Sequence, residues 1–325
     1  MYSIFQGRCS CWQEDNGSLD LHMRPSNSGG VPSPSLLPLR YPVEMVRGMA
    51  DYGAEAILLA GAGRALLLQL ADPPVGRGVH ENSTFTGRPV NRLKGTLTYV
   101  YAIVYGNEEQ VNAVRRRVNR AHVPVRRADN GTSPGYNAYD PELQLWVVAT
   151  LYDTAVTVIE KIYGPLDDES ADAMYQDYAR IGTALQLPAG MWPKDRAAFG
   201  RYWEERIANL RAEDAGIRVG RGLLYPKHTA LWYRVIIPPA RFLTAGLLPE
   251  QLRKDFGLPW SERHQRRFDS TMRILSVVYP KLPQGIRHWF KNYCLNSLDA
   301  ELHGEPGPAK QWWPAKQRKP AGSLK

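Results

Sequence analysis

Cysteine is nearly absent from this chain: Cys9, Cys11 and Cys294 are the whole set in 325 residues. So sparse and odd a set excludes a disulfide framework and points to a reducing compartment. Cys9 and Cys11, one residue apart, are too few for a zinc site, and the seven histidines show no metal-ligand spacing among themselves. Strand pairs joined by Asn-Gly turns are missing, which argues against a β architecture. No apolar run is long and uncharged enough for a bilayer span. The greasiest stretch, Ala54 to Ala71, contains Glu55 and Arg64, so it reads as a buried core helix. The first residues, MYSIFQGRCSCWQEDNG, lack a basic-then-apolar leader pattern, and a cytoplasmic location is the expectation.

Apolar residues make up 43% and charged ones 22%, the balance of a soluble globular chain. The net charge of +9 raises nucleic acid as a partner, but its distribution argues otherwise. Lys310, Lys316, Arg318, Lys319 and Lys325 crowd the Pro/Gly-rich end against Glu305 alone. The run Arg115 to Arg127 shares its helix with a valine stripe, so a solvated face is expected there and no nucleic-acid groove. Residues 1–41, rich in Gly, Ser, Pro and Asn, read as an extended arm, and 304–325 as a disordered basic tail. One principal domain is expected over 42–303. Composition does not fix the oligomeric state.

Within that domain the pattern is helical. Val43 to Leu70 fits one long helix or two broken near Gly61 and Gly63, stopped by Pro73-Pro74. A turn-rich segment is expected through Gly87, then a helix from about Val90 to Tyr105. Asn107 is placed to cap Glu108–His122, whose first turn carries two acids. Asp140-Pro141-Glu142 marks a further helix start, running to Tyr163 before Gly164-Pro165. Helices are expected over 169–186, 195–213, 229–237, 249–256 and 261–279, with a shorter one after Gln284. The class is all-α.

Two letter patterns mislead. Gly61-Ala62-Gly63 resembles the opening of a dinucleotide fingerprint, but Leu66 occupies the third glycine position and no strand precedes it. Small residues letting two helices approach closely is the better reading. Gly131-Thr132-Ser133-Pro134-Gly135 has the letters of a nucleophile elbow, yet Pro134 has no N–H to offer an oxyanion.

His122 is the serious candidate. Val118, Val114 and Val111 lie four, eight and eleven residues before it, so the imidazole shares the apolar stripe of its helix. A neutral imidazole binds iron through one nitrogen while the other is held by a hydrogen bond. Haem propionates seek arginine or tyrosine partners, and Arg120, Arg126, Tyr136 and Tyr139 are close in sequence. Arg92 and Thr96, four apart, share a helix face with Tyr99 and Ile103. On composition and spacing alone, a core or capping histidine and a structural Arg92 stand beside the haem reading.

The pieces GAGRALLLQLADPPVGRGVHENSTFTGRPVNRLKGT, VNRAHVPV, YNAYDPELQLWVVATLYD and ARIGTALQLPAGMWP together resemble the latex-clearing-protein (rubber oxygenase) and MpaB-type oxygenase family. The resemblance covers roughly Tyr52 to Pro193, with weaker similarity onward. It implies a single large multi-helix domain with a globin-like core holding one haem b, His122 as the iron ligand, and Arg92 and Thr96 on the opposite, oxygen-binding side. Dioxygen would be the co-substrate and a small lipophilic molecule, such as an isoprenoid-like chain, the substrate. Gly95 stands where one rubber oxygenase has a lysine, and Asp72 and Val148 stand where histidines are often found. Two alternatives keep the fold: a carrier of haem or of an apolar ligand, and a haem-free enzyme acting on a lipid-like intermediate.

Overall fold

The computed structural model describes residues 47–82, 89–131, 134–226 and 231–305, and among these are fourteen α-helices and a two-stranded hairpin. The all-α class is as expected. The arm at 1–41, the tail from 306 onward and the Thr132-Ser133 pair lie outside the described residues.

The chain opens with α1 (Met49–Tyr52), a 3₁₀ turn (Ala56–Gly61) and α2 (Ala62–Ala71). The greasy run is thus core, as expected, but broken before Ala62. Its two charges are buried and partnered. Arg64 donates to the Leu247 carbonyl (2.8 Å), to Thr154 Oγ1 (2.7 Å) and to Asp153. Glu55 receives Tyr279 Oη at 2.9 Å and pairs with Arg287. Both contacts join residues far apart in sequence, so these charges fasten the core where a bilayer span would have none.

Pro73 and Pro74 follow the end of α2 at Ala71, as expected, but they also open a new helix. They begin α3 (Pro73–Glu81), and the Asp72 side chain accepts from Val75 N at 3.3 Å. Proline at the first helical position surrenders an N–H that has no partner anyway, and its fixed φ suits the turn. The expected turn-rich segment is therefore helical to Glu81, and 83–88 lie outside the described residues. A helix not foreseen, α9 (Asp214–Leu224), packs on α3. A Cβ at Gly76 would come within 3.1 Å of Gly216 Cα, so the backbones touch where both side chains are missing.

Between them run α4 (Pro89–Tyr105), α5 (Glu108–His122), α6 (Pro141–Tyr163), α7 (Asp168–Ala184) and α8 (Arg196–Asn209). The reciprocal bonds of Asn107 and Gln110 cap α5, and Asp140 caps α6 through Glu142 N at 2.8 Å. Gly164, at φ 91°, ends α6. This helix is the axis of the core: Trp146, Val148, Ala149 and Ile159 are fully buried on it.

The remainder is α10 (Leu231–Leu247), α11 (Glu250–Asp255), α12 (Glu262–Val278), α13 (Gln284–Arg287) and α14 (Trp289–Leu302). Pro238 and Pro239 lie inside α10 instead of closing it. Both face solvent, where water can take up the carbonyls that prolines leave without donors. Gly61 and Gly63 work as close-approach residues: a Cβ on Gly63 would stand 2.0 Å from Thr244 Oγ1 on α10.

Candidate functional site

His122 is the last residue of α5, and α4 packs alongside that helix. Its ring is half-buried, and its Nδ1 is buried with no hydrogen-bond partner among the described residues. Burial, with a smaller contribution from the Arg92 guanidinium, holds its pKa below the ordinary histidine value. The imidazole is therefore neutral at pH 7 and keeps one nitrogen lone pair. Leaving such a nitrogen dry and unbonded costs about 1–3 kcal/mol.

Tyr139 fixes the ring. Its plane stands at 88° to the imidazole, centroids 6.1 Å apart, and its hydroxyl donates to the Asn119 carbonyl at 2.8 Å. That bond ties the hairpin-to-α6 connection to the last turn of α5. The hairpin itself, β1 (Arg126–Arg127) with β2 (Tyr136–Asn137), pairs Arg126 with Asn137 and Arg127 with Tyr136.

The other expected residues are placed as follows. Arg92 and Thr96 are exposed on the first half of α4, while Tyr99 one turn on is buried, its hydroxyl donating to the Ile181 carbonyl at 3.1 Å. The shared face of α4 thus runs from solvent into the core. Arg120 and Arg126 are exposed. Arg120 precedes His122 by two residues, about 200° around the helix, so the two leave α5 on different sides. Tyr136 is buried; its hydroxyl donates to Glu81 Oε2 at 2.9 Å and accepts from Asn82 Nδ2 at 3.3 Å. Hence His122, Arg92 and Tyr139 gather at one place, while Tyr136 belongs to a cluster with Glu81 and Arg127. The side chains of 89–91 and the segment 83–88, which precede Arg92, are outside the described residues.

Sequence reasoning missed two apolar neighbours. Leu93 and Val123, the residues after Arg92 and His122, are both exposed. A single exposed valine carries no signal in a sequence; it gains meaning only from its place beside the histidine.

Trp146 is core. Its indole donates to the Leu68 carbonyl at 3.2 Å and stacks on Trp203. Two clefts of about 350 and 360 Å³ lie elsewhere. The first is lined by Asp72 and Arg206, paired at 2.8 Å, where burial raises the Asp72 carboxyl above its ordinary pKa. The second lies between α4, α5 and α14, beside Lys94, Arg117 and Cys294. Val148 is buried in α6, and a Cβ on Gly95 would meet open space.

Among the described residues, no single helix is long and apolar enough to cross a membrane. No solved structure matches the chain. Two uncharacterized proteins, from Mycobacterium bovis and Mycobacterium tuberculosis, are each 38% identical over 249 residues, 74% of this chain and 96% of theirs. Residues 50–277 match the family described as ER-bound oxygenase mpaB/B'/rubber oxygenase, catalytic domain. The match takes in the whole of α2 to α11, and with it His122, Arg92 and Thr96. The chain belongs to this family of oxygenase catalytic domains.

Proposed function

We propose that the chain is a haem b-dependent oxygenase that uses dioxygen on a lipophilic substrate, isoprenoid-like or another apolar chain, with His122 as the residue that would hold the haem iron. The observation that carries this reading is the buried, unpartnered Nδ1 of a histidine kept neutral by its surroundings. Family membership supports the oxygenase part of it. Haem, when bound, supplies an iron able to bind and activate dioxygen.

The protein's own residues do the rest. Tyr139 holds the imidazole plane and anchors the end of α5, so the ligand is oriented before anything binds. Arg92 has two parts: its charge adds to burial, the larger cause, in disfavouring protonation of His122, and with Thr96 it would offer hydrogen-bond donors to dioxygen. Arg126, being exposed on the hairpin that follows α5, is assigned to the propionates, whereas Arg120 leaves α5 on another side and is not. The hydroxyls of Tyr136 and Tyr139 are already bonded within the protein, so their part is to hold the hairpin and helix end in place. Leu93 and Val123 give an apolar chain a surface to rest on beside the site.

The test is dioxygen uptake by the protein purified with haem, offered a panel of unsaturated isoprenoids. Uptake that falls in Arg92→Met and Thr96→Val, with haem still bound, supports the assignment. Bound haem with no uptake for any member of the panel favours the carrier.

A further inference from the structure

From Ser270 to Lys291 the chain contains no aspartate or glutamate, while Arg273, Lys281, Arg287, His288 and Lys291 fall within it. The same stretch presents large apolar side chains to solvent. Ile274, Val277, Val278, Ile286 and Trp289 are each between 50% and 60% exposed, which is unusual for residues so near one another. The local folding explains the grouping. On α12 the core side is taken by Phe268, Met272 and Leu275, at the i, i+4, i+7 spacing of one face. Ile274, Val277 and Val278 therefore project from the opposite side. The 3₁₀ turn Tyr279–Lys281 buries Tyr279 and turns the chain, and Arg287 points inward to Glu55, so Ile286 and Trp289 stay outside.

One to three turns back along α12, Arg263, Arg266 and Arg267 are exposed, and only Arg266 has an acidic partner, Glu262 at 3.6 Å. The outward surface thus combines arginines, a lysine, branched apolar chains and a tryptophan, with exposed Asp269 as the one acid from Arg263 to Trp289. We infer that this surface, α12 from Arg263 onward through Trp289, docks on an anionic lipid bilayer, with the apolar chains entering the headgroup layer and the cations meeting lipid phosphates. Charge complementarity selects this occupant. A second copy placed face to face would bring Arg273 and Lys281 against their own like charges. The tail beyond 305 is itself basic, so it adds to attraction by anionic lipid and repels this patch. The mixture of Lys/Arg with Trp and aliphatic residues is the composition that interfacial helices use. The inference stands on its own and does not require haem.

The experiment is co-sedimentation of the full chain with vesicles of phosphatidylcholine alone, or of equal parts phosphatidylcholine and phosphatidylglycerol, at low and raised salt. Sedimentation with the anionic vesicles only, weakened by salt, is expected. Ile286→Ser with Trp289→Ser should weaken it about tenfold or more, since both side chains leave water on docking. Arg273→Gln with Lys281→Gln should weaken it about tenfold at low salt. These positions are exposed, so circular dichroism melts should match wild type; if the first pair melts lower, Ile274→Ser with Val278→Ser repeats the reading. Equal sedimentation with neutral vesicles, none with either, or undiminished binding by the apolar variants overturns the inference. A wild-type dimer on size exclusion that the apolar variants convert to monomer also overturns it, and makes the occupant a second copy.

Discussion

Tyr139 meets His122 edge to face while its hydroxyl, 2.8 Å from the Asn119 carbonyl, holds the turn that carries the histidine. One side chain therefore sets both the plane of the imidazole and the position of its backbone. Tyr139→Phe keeps the ring and removes the bond. A loss of about 1 kcal/mol is expected, visible as a lower denaturation midpoint, together with weaker haem retention. An unchanged midpoint would show that the hydroxyl contributes nothing.

The protonation of His122 links to stability with a definite sign. Its folded pKa lies below the ordinary histidine value of about 6.5, so near that pH the unfolded chain binds more protons than the folded one. Stability is fully present above about 6.5 and is lost as pH falls through the depressed folded value. His122→Gln removes that contribution, and its stability should fall less steeply than that of wild type below pH 6.5. Urea midpoints across this range make the comparison, and parallel curves would contradict it.

Arg64 is buried among Asp153, Thr154 and the Leu247 carbonyl. Arg64→Met leaves the Asp153 carboxylate without its counter-charge, and a cost of about 3 kcal/mol or more is expected. The double variant Arg64→Met/Asp153→Leu should recover most of it, because no lone charge then remains inside. Equilibrium unfolding of both decides the matter.

Gly63→Ala places a methyl against Thr244, whose hydroxyl already bonds the Ala240 carbonyl at 2.8 Å. Overpacking of this kind costs about 1–3 kcal/mol. Gly63→Ala/Thr244→Ala should regain stability on thermal denaturation. A single variant as stable as wild type would mean that α2 and α10 are free to separate.

These contacts show where sequence reading succeeds and where it stops. The ends of α5 and α6 were legible because caps and stops are local: Asn107 with Gln110, Asp140 with Pro141, then Gly164. Pro73-Pro74 marks the end of α2, as the sequence indicates, and also starts α3, since proline suits the first turn as well as it breaks an interior. Asp214–Leu224 was not foreseen because its glycines weaken any helix signal. Gly216 earns its place through contact with Gly76, a tertiary fact. At the site, the valine stripe marked His122 as inward-leaning. The unbonded Nδ1, the ring of Tyr139 and the charge of Arg92 depend on how α4, α5 and the hairpin meet, which no spacing encodes.

The most direct measurement is the visible absorption spectrum of the protein purified with added haem, set beside that of His122→Ala treated alike. A Soret band in the wild type that is lost or shifted in the variant, with both proteins equally folded, is the predicted result. Identical spectra, or no band from either protein, would contradict ligation by His122.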